Sequence, residues 1–122
     1  MNPPATYVLI VEDNPDYCQW LLALLKKRGI AAEPAATLRE GFDKLATRAP
    51  LCVLLDLGLP DGNGVEILRH IRRLGLPIKV AIITCSNDYS TVGTAMLLRP
   101  DVLFRKPVDA LEVMSWVTTS CC

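Results

Sequence analysis

The sequence predicts a single α/β domain of the doubly wound kind, a parallel sheet of five strands in the order 2-1-3-4-5 with helices on both faces. Three observations lead there. Residues 7–11, 51–55 and 80–84 are apolar runs without polar alternation, which suits strands buried on both faces. Segments with helical apolar spacing fall between them, as right-handed βα crossovers require. Finally, 122 residues with 51% hydrophobic and 21% charged content suffice for one ordered core but not for a second folded unit.

Each element has a local reason. The first strand, 7–11, runs into Glu12-Asp13-Asn14-Pro15, where Asn14 caps a helix and Pro15 takes its first position, at which a missing N–H costs nothing. That helix shows Cys18, Leu21, Leu22 and Leu25 on one face, turns basic at Lys26-Lys27-Arg28 and stops at Gly29. Residues 30–33 make a weak strand near a sheet edge, closed by Pro34. Thr37 and Glu40 have the form of a capping box, opening a helix with Leu38, Phe42 and Leu45 on one face that ends before Pro50.

The third strand, 51–55, delivers Asp56 where the chain leaves the sheet, and a turn containing Pro60, Asp61, Gly62 and Gly64 follows, with Asp61 read as a turn residue. The next helix places Ile67, Leu68, Ile71 and Leu74 inward and closes at Gly75 and Pro77, while its basic stretch with His70 faces solvent. Residues 80–84 form the fourth strand. Asn87 or Asp88 caps a short helix reaching Leu98, with Gly93 inside it. Residues 101–104 form the last strand, which leads to Arg105-Lys106-Pro107. Asp109 with Glu112 then caps a final helix bearing Met114 and Val117, with Trp116 beside them.

Composition narrows the function. The formal net charge is zero, which supplies no electrostatic drive toward nucleic acid or an anionic membrane surface. No apolar run approaches the roughly 18 residues that span a bilayer, and the N-terminus lacks the pattern of a secretory signal. The five cysteines contain no CxxC pair and read as free thiols in a reducing cytoplasm, with Cys121-Cys122 a loose tail.

The strand order has a chemical consequence. Glu12 and Asp13 follow the first strand, Asp56 the third, Thr84 ends the fourth and Lys106 follows the fifth, all at the carboxyl edge where open α/β sheets bind ligands. Three carboxylates gathered there repel one another and call for a cation. A hard, oxygen-seeking divalent ion fits, and Mg²⁺ suits best because it keeps waters and leaves room for a phosphate oxygen. A hydroxyl and an ammonium opposite are what an incoming phosphoryl group needs, and Asp is a competent nucleophile for it.

Val8-Leu9-Ile10-Val11-Glu12-Asp13, Asp56-Leu57-Gly58-Leu59-Pro60-Asp61-Gly62, Ile83-Thr84 and Lys106-Pro107, taken in order, resemble the receiver domain of two-component response regulators, from about Tyr7 to Val117. The resemblance implies a flavodoxin-like (βα)5 fold. It implies Asp56 as the phosphoacceptor, Asp13 as direct metal ligand with Glu12 its acidic partner, and Gly58 contributing its backbone carbonyl to Mg²⁺. It implies Thr84 as the switch hydroxyl, Lys106 as the partner of the phosphoryl group, and a cis Lys106–Pro107 bond. A sensor histidine kinase or phosphotransfer protein would be the donor. Output would pass to a partner protein or domain, or a homodimer, through the fourth helix, fifth strand and fifth helix, the surface with Met96, Leu97, Leu98 and Trp116. The domain would be cytoplasmic, without direct nucleic-acid or membrane contact, and would turn over no separate substrate. No helix-turn-helix or catalytic output segment is expected after Val117, so the domain would either work alone through a partner or be one domain of a longer chain.

Two positions depart from the family. Leu103 stands where Tyr or Phe is common, and Phe104 points to the opposite face of the strand. Cys85 follows Thr84 where Ala or Gly is usual. These departures support an alternative, a phosphorylation-independent interaction module, which the intact acids, Thr84 and Lys106 oppose. An aspartyl-phosphate hydrolase of the haloacid dehalogenase type is disfavoured, because Gly58 occupies the position of its second Asp.

Overall fold

The computed structural model describes residues 7–85 and 89–121. The expected caps Asn87 and Asp88, the N-terminal residues 1–6 and the end of the tail lie outside the described residues. The chain forms β1 (Tyr7–Val11), α1 (Pro15–Lys27), β2 (Ala31–Ala35), α2 (Leu38–Thr47), β3 (Cys52–Leu55), α3 (Val65–Arg73), β4 (Lys79–Thr84), α4 (Tyr89–Leu97), β5 (Val102–Arg105) and α5 (Ala110–Cys121). The five strands are all parallel, in the order β2-β1-β3-β4-β5. The expected order is therefore the observed one.

Both faces of the central strands are buried, as their unbroken apolar runs require. Leu9, Val11, Val53, Leu55, Val80 and Ile82 point into one core layer, which α2 and α3 cover. Val8, Ile10, Cys52, Leu54, Ala81 and Ile83 point into the other, beneath α1 and α5. A fully buried Leu or Ile side chain contributes about 1.5–3 kcal/mol, so these layers dominate the stability of the sheet. Cys18 and Cys52 are buried thiols. Gly29 and Gly75, at φ +72° and +63°, take the left-handed turn that ends α1 and α3.

Register positions the functional edge. Val11 pairs with both Ala35 and Leu55, so β1 and β3 end level, and Glu12 and Asp56 leave the sheet side by side. The Asp56 N–H donates to the Val11 carbonyl at 2.9 Å, which locks this juxtaposition into the backbone. Leu55 pairs with Ile82, so β4 runs two residues further and carries Thr84 over the site. Thr84 pairs with Arg105, which places Lys106 next to it.

Several local expectations are met. Asn14 accepts from the Tyr17 N–H at 3.0 Å, Thr37 from the Glu40 N–H at 3.0 Å, and Asp109 from the Leu111 and Glu112 N–H groups. Others change. Pro34 lies within β2 instead of closing it, because an edge strand has a side with no ladder to break. Leu74 is 56% exposed at the C-cap of α3, one turn beyond the buried Ile71. His70 is half-buried, edge-on against Phe42 at 5.2 Å, so only part of that basic stretch is solvated. The turn after Asp56 contains a short antiparallel ribbon, Gly58–Leu59 with Gly62–Asn63, too brief to leave a pattern in the sequence. Among the described residues, no helix is long and apolar enough to cross a membrane.

Candidate functional site

The sequence places Glu12, Asp13, Asp56, Gly58, Thr84 and Lys106 at one edge, and the structure gathers all six around a single open cleft. Carboxylate oxygens of Glu12, Asp13 and Asp56 lie within 4.8 Å of one another. Glu12 and Asp56 are only 4% and 7% exposed, whereas Asp13 faces solvent. Charges this deep require a counter-ion, and Lys106 supplies it from the end of β5. Its ammonium donates to the Glu12 carboxylate and, at 3.0 Å, to Asp56 Oδ2. The other Asp56 oxygen accepts from the Gly58 N–H at 3.2 Å.

Two negative groups still face one positive group. Burial, reinforced by the adjacent Asp56, pushes the Glu12 carboxyl up to about 7 against the pull of Lys106. Burial works to lower the Lys106 pKa, but the hydrogen bonds and charges of Glu12 and Asp56 outweigh it and raise the value. The cluster is thus short of positive charge. Its donors are hard oxygens, an arrangement that fits a divalent cation of the Mg²⁺ type.

Thr84 is 1% exposed and lines the cleft beside the exposed Cys85, and its carbonyl accepts from the Lys106 N–H at 3.0 Å. The Lys106–Pro107 peptide is cis. Leu103 and Phe104 pack into opposite core layers, as alternation along a strand demands.

Sequence reasoning missed two contributors. The Tyr17 ring lies 4.5 Å from the Lys106 ammonium, and its hydroxyl accepts from the Val108 N–H at 3.2 Å. This aromatic face steadies the lysine stem. The signal was available, since the third residue after the Asn14 cap falls in the first turn of α1, at the sheet's functional edge. The other is Asp61, which lies in a turn as the sequence predicts but is more than a turn residue. Its carboxylate accepts from the Leu38 and Arg39 N–H groups of α2.

Comparison with known proteins agrees with this geometry. The KDP operon transcriptional regulatory protein KdpE of Escherichia coli K12 is 35% identical over 110 residues, covering 90% of this chain and 48% of that protein. The acid tolerance regulatory protein ActR of Rhizobium meliloti is 30% identical over 112 residues, covering 92% of this chain and 58% of that protein. The chain therefore spans about half the length of these curated relatives. Among solved structures, a CheY-like response regulator receiver domain protein from Methanospirillum hungatei superposes with a TM-score of 0.87 at 24% identity, covering 94% of this chain and 92% of the other. A two-component response regulator from Clostridium difficile gives 0.85, also at 24% identity, covering 93% of each chain. The family model of the response regulator receiver domain matches residues 8–118, nearly the whole chain, and the chain belongs to that family.

Proposed function

We propose that this chain, with a core of about residues 7–117, is a phosphoacceptor: it takes a phosphoryl group onto Asp56 and uses the added charge as a switch. The observation that carries this reading is the convergence of three carboxylates, one ammonium and one buried hydroxyl on a single cleft at the carboxyl edge of the sheet. Asp56 is the acid that joins both halves of the site, touching Lys106 with one oxygen and the Gly58 N–H with the other.

The donor is a phosphohistidine on a sensor histidine kinase or phosphotransfer protein. An Asp56 carboxylate oxygen attacks phosphorus in line, the P–N bond breaks, and the imidazole leaves with the electron pair and takes up a proton from water. Lys106 moves its attention from the free carboxylate to the phosphoryl oxygens. Glu12, Asp13, Asp56 and the Gly58 carbonyl would hold Mg²⁺. When bound, Mg²⁺ offsets the charge of the carboxylates and of the phosphoryl oxygens. The product carries about two negative charges on its phosphoryl group in place of the single charge of the carboxylate, and these draw the Thr84 hydroxyl inward and shift the α4-β5-α5 face. On that face α4 buries Ala95 but leaves Leu97 84% exposed, and an apolar group so placed suits an output protein or domain, or a second copy of the chain. The chain modifies and later dephosphorylates itself, without a separate substrate, as a cytoplasmic protein that makes no direct contact with nucleic acid or membrane.

Intact mass after incubation with acetyl phosphate and Mg²⁺ tests this reading. One added phosphoryl group is expected, lost in Asp56→Asn and in EDTA. Failure of the wild type with both acetyl phosphate and a kinase donor overturns the reading and leaves an interaction module that works without phosphate.

A further inference from the structure

Asp61 sits at the tip of the ribbon that follows Asp56, yet its carboxylate serves a helix more than twenty residues earlier. Oδ1 accepts from the Leu38 N–H at 2.7 Å and Oδ2 from the Arg39 N–H at 3.0 Å. These are first-turn donors of α2 with no partner inside the helix. Thr37, the local cap, is occupied elsewhere, with its hydroxyl accepting from the Glu40 N–H at 3.0 Å. Helix α2 therefore has two caps, one local and one brought in by the loop of the functional site.

The distant cap has a consequence for the loop. The ribbon has only two residue pairs, Gly58 with Asn63 and Leu59 with Gly62, and a two-stranded hairpin of that size does not hold its shape alone. Asp61 fastens its tip to α2, which is itself a firm post. Gly41 packs against Val11 and Ile67, and Leu38, Phe42 and Leu45 pack against the buried core. At the other end of the ribbon stands Gly58, whose N–H donates to Asp56 at 3.2 Å. We infer that Asp61 is a positioning residue for metal binding: by tying the ribbon to α2, it holds the Gly58 carbonyl where it completes the carboxylate site. This rests on the proposed Mg²⁺ role of Glu12, Asp13, Asp56 and Gly58.

The test pairs two cap deletions. Asp61→Ala and Thr37→Ala each remove a cap from the same helix, but only the first releases the ribbon. Mg²⁺ affinity is measured by calorimetric titration of the folded domains, alongside their unfolding midpoints. Asp61→Ala is expected to bind Mg²⁺ about tenfold more weakly, the lower end of the loss seen when groups that orient metal ligands are removed. Thr37→Ala is expected to stay within about twofold of wild type while losing comparable stability. Asp61→Asn keeps one acceptor without the charge, so partial recovery of affinity supports the tether, whereas affinity as weak as that of Asp61→Ala assigns the effect to charge and overturns it. Linkage adds a second readout, since Mg²⁺ must slow hydrogen exchange at the Leu38 and Arg39 amides if those bonds favour binding. Equal losses in the two cap variants, or Asp61→Ala within about twofold of wild type, overturn the inference. A wild type that binds no Mg²⁺ fails before any variant is compared and overturns the metal site itself.

Discussion

Replacing Gly64 with Ala puts a methyl group where the structure has none to spare. A Cβ on Gly64 falls 2.1 Å from the Asp56 carbonyl oxygen, and 3.1 Å from both the Asp56 carbonyl carbon and the Leu57 Cα. Carbon–oxygen contacts settle at about 3.3–3.6 Å, so the two segments must separate by more than about 1 Å. The obstructing atoms are backbone and cannot rotate away. Nor is conformation the difficulty, because Gly64 has φ −57° and ψ −20°, which any residue adopts. Removing a glycine's freedom in the unfolded chain stabilises by about 0.4–1 kcal/mol, and overpacking costs about 1–3 kcal/mol or more. A net loss of about 2 kcal/mol is expected, read from urea midpoints at constant slope. The clash falls on the backbone of Asp56, the proposed phosphoacceptor, and a misplacement of 1 Å can cost about 100-fold in rate. Acetyl phosphate labelling of the folded fraction should drop by that order. Gly58→Ala is the control, for nothing lies within 4 Å of its added Cβ, and it should stay within about 0.5 kcal/mol. A Gly64→Ala variant no less stable than Gly58→Ala would refute the packing argument. Lost stability with unchanged labelling would refute its link to the site.

Other outcomes follow from the same geometry. The folded-state pKa of Glu12 is raised from 4.5 to about 7, so the metal-free fold holds this proton more tightly than the unfolded chain does. That contribution is fully present below about pH 4.5 and is lost as pH rises through 7. Relative to Glu12→Gln in EDTA, the wild type should lose on the order of 3 kcal/mol across that window, and parallel denaturation profiles would count against it. Lys106→Met leaves Glu12 and Asp56 facing each other without a cation, so unfolding should be easier by about 3 kcal/mol at pH 8 and by less at pH 5, where Glu12 takes a proton. An equal loss at both pH values would argue against the ion triad. Cys85 lines the cleft beside Thr84, and Cys85→Ala should open it and speed autodephosphorylation; identical decay of the phosphorylated forms would sink that idea.

The main architecture was legible in the sequence because burial leaves a record along each segment. Apolar runs without alternation announced β1, β3 and β4, and caps such as Asn14, Thr37 and Asp109 announced helix starts. Once the strands were parallel and ordered, Glu12, Asp13, Asp56, Thr84 and Lys106 had to share an edge. The tertiary structure decided what no periodicity encodes. Pro34 stays inside a strand because that strand is at the edge. Leu74 falls outward at a helix end, while Tyr17 covers Lys106 from 89 positions away in sequence. Asp61 caps a helix it follows by more than twenty residues, and of the glycines at 58 and 64 only the second is required by packing. Local pattern reports which face of a segment is dry. Which atoms meet across the fold depends on how distant segments close on one another, and that is set only when the whole chain is packed.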